Sequence, residues 1–338
     1  MDHRAMPTGS QARASRALLW VGLLVLYVVW GSTYLGIRIA VETIPPFLMA
    51  STRFLVAGVA LFAWSILREG TAFAWATRRE WRDMFIVGAL LLGGGMGAVA
   101  WGEQTVPSGI AALLIAMMPV WVAVLGRVFL GERLPRLAVA GITVGLVGVA
   151  ILVGGPDPGD PLDPAGVVAL LISPICWSAG SLYAAHRVPQ SSRPLVATAM
   201  QMLCGAAVLA VAAIVTGEPG RLRVELISTS SIVALVYLTV IGSLLAFSTY
   251  VWLLRVAPLP LIATYAYVNP VVAVILGAVV LGETLTPTKL VAGGVIIFAV
   301  ALIITARGRV RRPTVGAETD GLSAQPPASA RPMPAPDG

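Results

Sequence analysis

Arg53 lies seven residues after Pro46, in a stretch otherwise built from apolar and small residues. On a helix rising 1.5 Å per residue, that offset carries a guanidinium roughly 10 Å into an apolar layer. A charge at the centre of a membrane helix costs on the order of 2.5–3.5 kcal/mol, so it needs a reason to be there. A planar guanidinium suits a carboxylate or phosphate. Its stem can equally snorkel outward, or it can pair with Glu42 or Glu103. Asn269 precedes Pro270, and Met118 precedes Pro119. A proline inside a helix removes one hydrogen bond and frees a carbonyl, which serves a solute or a bend. Pro119 and Pro270 are therefore the expected kink or gating positions. Tyr265 and Asn269 are spaced i, i+4 and share a helix face. Ser243, Phe247 and Tyr250 follow i, i+4, i+7 and offer a facing wall. Trp30, with Tyr34 one turn on, and Trp177 fall midway along apolar runs, where an interfacial aromatic belt does not reach. These nine residues, Arg53 and Asn269 included, are the expected cavity lining.

Enzyme chemistry finds no support. The sequence has no H-E-x-x-H, G-x-S-x-G or G-x-x-x-x-G-K-[ST] motif. Its two histidines, His3 and His186, are far apart, and no metal spacing links the cysteines. The expectation is no catalytic group, no metal and no cofactor. Without a phosphate-binding loop the chain cannot itself use ATP. Among carboxylates, Glu103 is the one coupling candidate. Its place at a span's outer end reads as a solvated interface residue, with proton dependence arising elsewhere. Glu132 and Glu283, just before the fifth and tenth spans, read as loop anchors near helix N-termini.

The elements that must position these residues follow from composition. Of 338 residues 57% are hydrophobic and 12% charged, against about 25% charged in soluble domains. A soluble body of this size could not wet its surface. The net charge of +7 comes from single basic residues scattered between apolar stretches, so nucleic acid is not implied. About 20 apolar residues cross a bilayer. Ten stretches qualify, at 17–39, 46–67, 84–103, 107–130, 135–154, 164–185, 194–216, 231–254, 258–281 and 287–306. With the N-terminus inside, the arginines of the cytoplasmic segments far outnumber Arg38, Arg221, Arg223 and Lys289 outside. Both termini are then cytoplasmic. Residues 1–16 read as a cytoplasmic tail, 155–163 as an external linker, and 307–338 as a disordered tail too rich in Pro, Ala, Ser and Gly to bury apolar surface.

Residues 101–134 repeat at 252–285 without a gap. Shared residues include Trp101/Trp252, Pro107/Pro258, Pro119/Pro270, Gly126/Gly277, Gly131/Gly282 and Glu132/Glu283. The halves are 17–154 and 164–306. Each holds five spans, an odd number, so the second copy starts from the opposite face. Inverted repeats are typical of secondary transporters. Gly93/Gly97 and Gly141/Gly145 are small-xxx-small pairs that serve bundle packing or a homodimer face.

Trp30-Gly31-Ser32-Thr33-Tyr34 through Glu42, Pro45-Pro46 and Arg53-Phe54 resembles the start of EamA-type carriers of the drug/metabolite transporter superfamily. So do Val106-Pro107-Ser108-Gly109 and Tyr265-Ala266-Tyr267-Val268-Asn269-Pro270 through Leu281-Gly282-Glu283. The resemblance covers about residues 17–306 and is nearest the YedA-like branch. It implies an all-α membrane protein of ten helices, two inverted five-helix repeats around a central cavity. It also implies a cell-membrane carrier exporting amino acids, other metabolites or drug-like solutes. Its partners are then the solute and the lipid bilayer. Facilitated uptake or exchange, and a non-transporting scaffold or sensor, stay open at this point.

Overall fold

The computed structural model describes residues 16–154, 162–189, 193–257, 259–262 and 264–310; of the expected tails and linker, residues 1–15, 155–161 and 311–338 lie outside these, whereas Arg16 and residues 307–310 are helical. Regular structure among the described residues is helical. The first half holds α1 (Arg16–Ala40), α2 (Pro46–Glu69), α3 (Arg78–Gly102), α4 (Ser108–Leu130) and α5 (Arg136–Gly154). The second holds α6 (Pro164–Arg187), α7 (Pro194–Val215), α8 (Thr229–Leu253), α9 (Tyr265–Leu281) and α10 (Pro287–Val310). Nine of these are long and apolar enough to cross a membrane. The tenth, α9, is shorter because its first turn, Leu259–Ile262, is set off from it.

Local chemistry sets the boundaries. Pro46, Pro164, Pro194 and Pro287 open helices, where a missing N–H costs nothing. Gly131 and Gly282 close α4 and α9 at φ +67°, a left-handed cap that glycine adopts without strain. These caps stand at equivalent places in the repeat, and each donates to the equivalent carbonyl, Gly126 or Gly277. The third helix of each half also carries a π-helical stretch, Ala89–Met96 in α3 and Leu238–Leu245 in α8. Packing obeys the same two-fold relation. The most extensive helix contacts are α2 on α7 and α5 on α10, each joining the same helix of the two halves. The further pairing of α1 with α9 is matched by that of α6 with α4.

The inversion is visible in the contacts. The face where α1 begins is termed near here, and the one where α1 ends far. At the far face Arg38 Nη1 donates to the carbonyls of Glu103 and Gln104, both at 2.6 Å. Thr105 Oγ1 donates to Asp163 Oδ2 at 2.8 Å, placing the start of α6 beside the end of α3. The second half therefore enters from the face opposite to the first.

Three carboxylates stitch that far face by capping helix N-termini, where backbone N–H groups and the helix dipole favour an anion. Glu218 accepts from Phe47 N and Leu48 N at the start of α2 (3.2 and 2.9 Å). Glu283 accepts from Ser108 N and Ser108 Oγ, both at 2.7 Å, and from Gly109 N at 3.0 Å. It is thus a helix anchor as expected, but for α4 of the other half rather than for the neighbouring α10. Asp163 caps its own α6 through Gly166 N at 2.9 Å. The hydrogen bonds from Thr105 and Gly166 hold its carboxyl below the usual aspartate range. The small-residue pairs are consumed inside the chain. A Cβ on Gly93 or Gly97 would meet Val208 or Leu209 of α7, and on Gly141 or Gly145 it would meet Ile303 of α10 or Met117 of α4. These contacts are the bundle packing expected of such pairs.

Candidate functional site

Seven helices, α1, α2, α3, α4, α6, α8 and α9, surround a cavity of about 930 Å³, its open mouth included. Exposure grades along it. Trp30, Met118, Trp177 and Tyr265 are partly exposed. Ile37, Phe54, Val99 and Ala112, nearer the far face, are all 2% exposed or less. The far part of the lining is thus buried, and partly exposed lining residues stand nearer the near face.

Two prolines stand at its wall. Proline has no N–H, so Pro270 leaves the Ala266 carbonyl, four residues back, without its helical donor. Pro119 likewise has no N–H to offer Ile115, the last residue of the helical segment before it. Both pairs line the cavity, as do Met118 and Asn269 beside the prolines. Pro270 sits inside α9 as expected. Pro119 does not kink a continuous helix: α4 breaks at Ala116–Met117 and Pro119 enters the first turn of a new segment. Ser178 Oγ on α6 donates to the Met118 carbonyl at 3.1 Å across that break. Asn269 is 8% exposed. Oriented to satisfy its neighbours, its amide N donates to the Tyr265 carbonyl at 3.2 Å and the Tyr27 carbonyl at 3.3 Å, tying α9 to α1.

Arg53 is 3% exposed and lines the cavity. Of the fates open to it in the sequence, it takes neither the snorkel nor the ion pair. Its Nε donates to Ser243 Oγ at 2.8 Å, and its guanidinium stands 4.9 Å from the Phe54 ring centroid. Among the described residues no carboxylate pairs with it. Gly242, in the π-helical stretch of α8, makes the room: a Cβ there would come within 3.2 Å of Arg53 Nη2. With Nε committed, the terminal nitrogens keep donors for a planar anion.

Trp30 forms the opposite chemistry. Its ring packs edge-on to Tyr265 at 5.1 Å and Phe247 at 5.6 Å, and tilted on Tyr250 at 5.2 Å. Trp177 reaches the cavity because α3 is glycine-rich where they meet; a Cβ on Gly95 would lie 3.1 Å from its ring. Among the described residues, the cavity lining thus joins an aromatic wall to one cation, Arg53.

Trp30, Tyr34, Arg53, Trp177, Phe247, Tyr265 and Asn269 thus share one cavity. Ser243 and Tyr250 do not line it: Ser243 holds Arg53 from behind, and Tyr250 backs Trp30. The π-helical stretch widens the turn over Leu238–Leu245, so the i, i+4, i+7 stripe of a regular α-helix is not kept. Thr33, Ser173 and Pro174 also line the cavity and were missed. The Ser-Pro pair inside an apolar span was the signal for the last two.

Glu103 departs most from expectation. It is 0% exposed rather than solvated, and it lies outside the cavity lining. Neither of its carboxylate oxygens has a hydrogen-bond partner among the described residues.

A profile of known families matches both halves of the chain, residues 16–154 and 164–305, as the EamA-like transporter family. The chain belongs to that family. This EamA-like transporter is 39% identical over 287 residues to the uncharacterized inner membrane transporter YedA of Escherichia coli (strain K12), covering 84% of this chain and 90% of that one. It is 28% identical to a probable amino-acid metabolite efflux pump of Salmonella typhimurium, over 86% and 95% of the two chains. It is 27% identical to protein PecM of Dickeya dadantii, over 82% and 88%. A crystal structure at 22% identity matches the fold of this EamA-like transporter with a TM-score of 0.57, over 88% of this chain and all of the other.

Proposed function

We propose that this transporter exports small amphipathic metabolites that carry a carboxylate, amino-acid-like solutes foremost. The observation that carries this reading is Arg53, a buried guanidinium in the cavity without a carboxylate partner. A solute carboxylate supplies the missing anion, and charge-assisted bonds of this type are the stronger ones. The solute's apolar part then rests on Trp30, Phe247 and Tyr265, with Asn269 and the carbonyls of Ile115 and Ala266 for its polar edge. The name of the Salmonella relative, an amino-acid metabolite efflux pump, agrees with this solute class.

Transport proceeds by alternating access about the two-fold axis. The near face is cytoplasmic in this reading, as the arginine bias requires, so the cavity loads from the cytoplasm. Reporters fused at Asp160 and Arg312 then report opposite compartments. The transport test is counterflow of radiolabelled L-phenylalanine in proteoliposomes. L-Phenylalanine should compete with the label, and its amide, which lacks the carboxylate, should not. Arg53→Gln should lower apparent affinity by about 10- to 100-fold, the span of a lost hydrogen bond to a charged group. Equal competition by acid and amide would refute the Arg53 assignment.

A further inference from the structure

Glu218, Glu283, Asp163 and Glu103 are all carboxylates of the far face, and the first three are satisfied. Glu218, Glu283 and Asp163 each accept backbone N–H groups at a helix N-terminus. Glu103 stands among them fully buried, with both oxygens unpartnered. An ionised carboxylate buried without donors loses several kcal/mol of hydration that nothing here returns. The neutral acid loses far less.

The groups facing Glu103 offset its burial only in part. From α1 come Tyr34 and Arg38, from α2 Arg53, and from beyond α9 Glu283. Arg38 donates Nη1 to the backbone carbonyls of Glu103 and Gln104 and makes no hydrogen bond to the carboxylate. Arg53 is turned to Ser243. Glu283 is a like charge. Across from α3, α6 presents Leu170 and the Gly166 backbone against Gly102, and its Asp163 is turned to Thr105. Glu103 is also one helical turn beyond Val99, a buried residue at the far end of the cavity lining. On the alternating-access reading the buried residues there form the plug that must part when the far end opens, and the carboxyl sits among them.

We propose that Glu103 is a proton-binding site that gates the far end, holding one proton while that end is shut and releasing it when the end opens. On closure a proton from the far-side solution joins a carboxylate oxygen, and the neutral acid enters the plug. On opening the O–H bond breaks, the proton passes to water, and the anion is solvated. Acid on the far side thus draws the empty carrier back to the conformation that loads from the near side. This rests on the alternating-access reading above, but its test needs no solute.

The probe is Val106, 0% exposed in the plug, against Gln104, exposed beside it. Val106→Cys and Gln104→Cys are made in a background with Cys176→Ala and Cys204→Ala. Each is labelled from the far side of proteoliposomes with a membrane-impermeant maleimide between pH 5.5 and 8. The ratio of the two rates cancels the reagent's own pH dependence. It should rise with pH, by at most tenfold per unit for one proton. With Glu103→Gln it should stay low and flat. A flat ratio with Glu103 present, absent labelling at every pH, or an unchanged slope in Glu103→Gln would each overturn the proposal. Hydrogen exchange over 99–112 in the unsubstituted protein, corrected for intrinsic rates, gives the same reading without new side chains. Protection should fall as pH rises, and constant protection would overturn the proposal. Loss of phenylalanine counterflow would count against the solute assignment and leave these outcomes standing.

Discussion

Glu283, two residues past the end of α9, accepts from the backbone N–H and the hydroxyl of Ser108, both at 2.7 Å, and so fastens one repeat to the first turn of the other. Gly109 N adds a third bond at 3.0 Å. The clasp lies at the far end of the cavity, where α4 and α9 meet.

Glu283→Gln should loosen it. The amide keeps the size but loses the charge that the α4 N-terminus favours. Capping interactions are worth about 0.5–2 kcal/mol. The expected result is a stability loss in that range by denaturation in detergent, together with faster maleimide labelling of Val106→Cys. Ser108→Ala removes one of the three bonds and should cost less, about 0.5–1.5 kcal/mol. Unchanged labelling in Glu283→Gln would show that the clasp does not hold the far end shut.

Gly31 is where α1 presses on α9. A Cβ there would lie 2.6 Å from Val272 Cβ and 3.1 Å from the Asn269 carbonyl oxygen. Neither a β-branched Cβ nor a backbone oxygen can step aside. Gly31→Ala should cost about 1–3 kcal/mol by overpacking. A lowered midpoint in thermal unfolding checks this, and a wild-type midpoint would contradict the packing.

Trp30→Ala removes three ring contacts, each worth about 0.5–1.5 kcal/mol beyond area burial. Stability should fall, and affinity for aromatic solutes should fall further than affinity for aliphatic ones. Trp30→Phe should restore part of both. The comparison of phenylalanine with alanine as competitors in counterflow measures the second effect.

Asp163 carries a pH dependence whose sign follows from its bonds. The Thr105 hydroxyl and the Gly166 N–H favour the charged carboxylate, so its folded pKa lies below the unfolded value. The link it makes between α3 and α6 is present above the unfolded value, near pH 4, and is lost as pH falls through the folded one. Acid titration of stability should therefore show a component that Asp163→Asn abolishes. A component of equal size in Asp163→Asn would assign it elsewhere.

Much of this protein was legible in the sequence because its solvent is a bilayer. Apolar runs of about 20 residues can only be helices there, since backbone groups find no other partners. The repeat of 101–134 at 252–285, with an odd number of spans per half, already required inversion. Trp30, Trp177, Arg53 and Asn269 stood out because aromatic, charged and amide groups midway along such runs are costly unless they face one another.

Long-range contact decided the rest. No local pattern in α3 marks Glu103 as buried, because its burial is made by α1, α2, α6 and the segment after α9, distant in sequence. That Arg53 would choose Ser243 over Glu42 or Glu103 depended on the π-helical stretch and Gly242 in α8, which open a seat for the guanidinium. The same stretch drew Ser243 and Tyr250 off the cavity wall. Glu283 showed its class in the sequence, a carboxylate for a helix N-terminus, but not its partner. Helix periodicity specifies which residues share a face; which face meets which is settled only when ten helices compete for the same buried contacts.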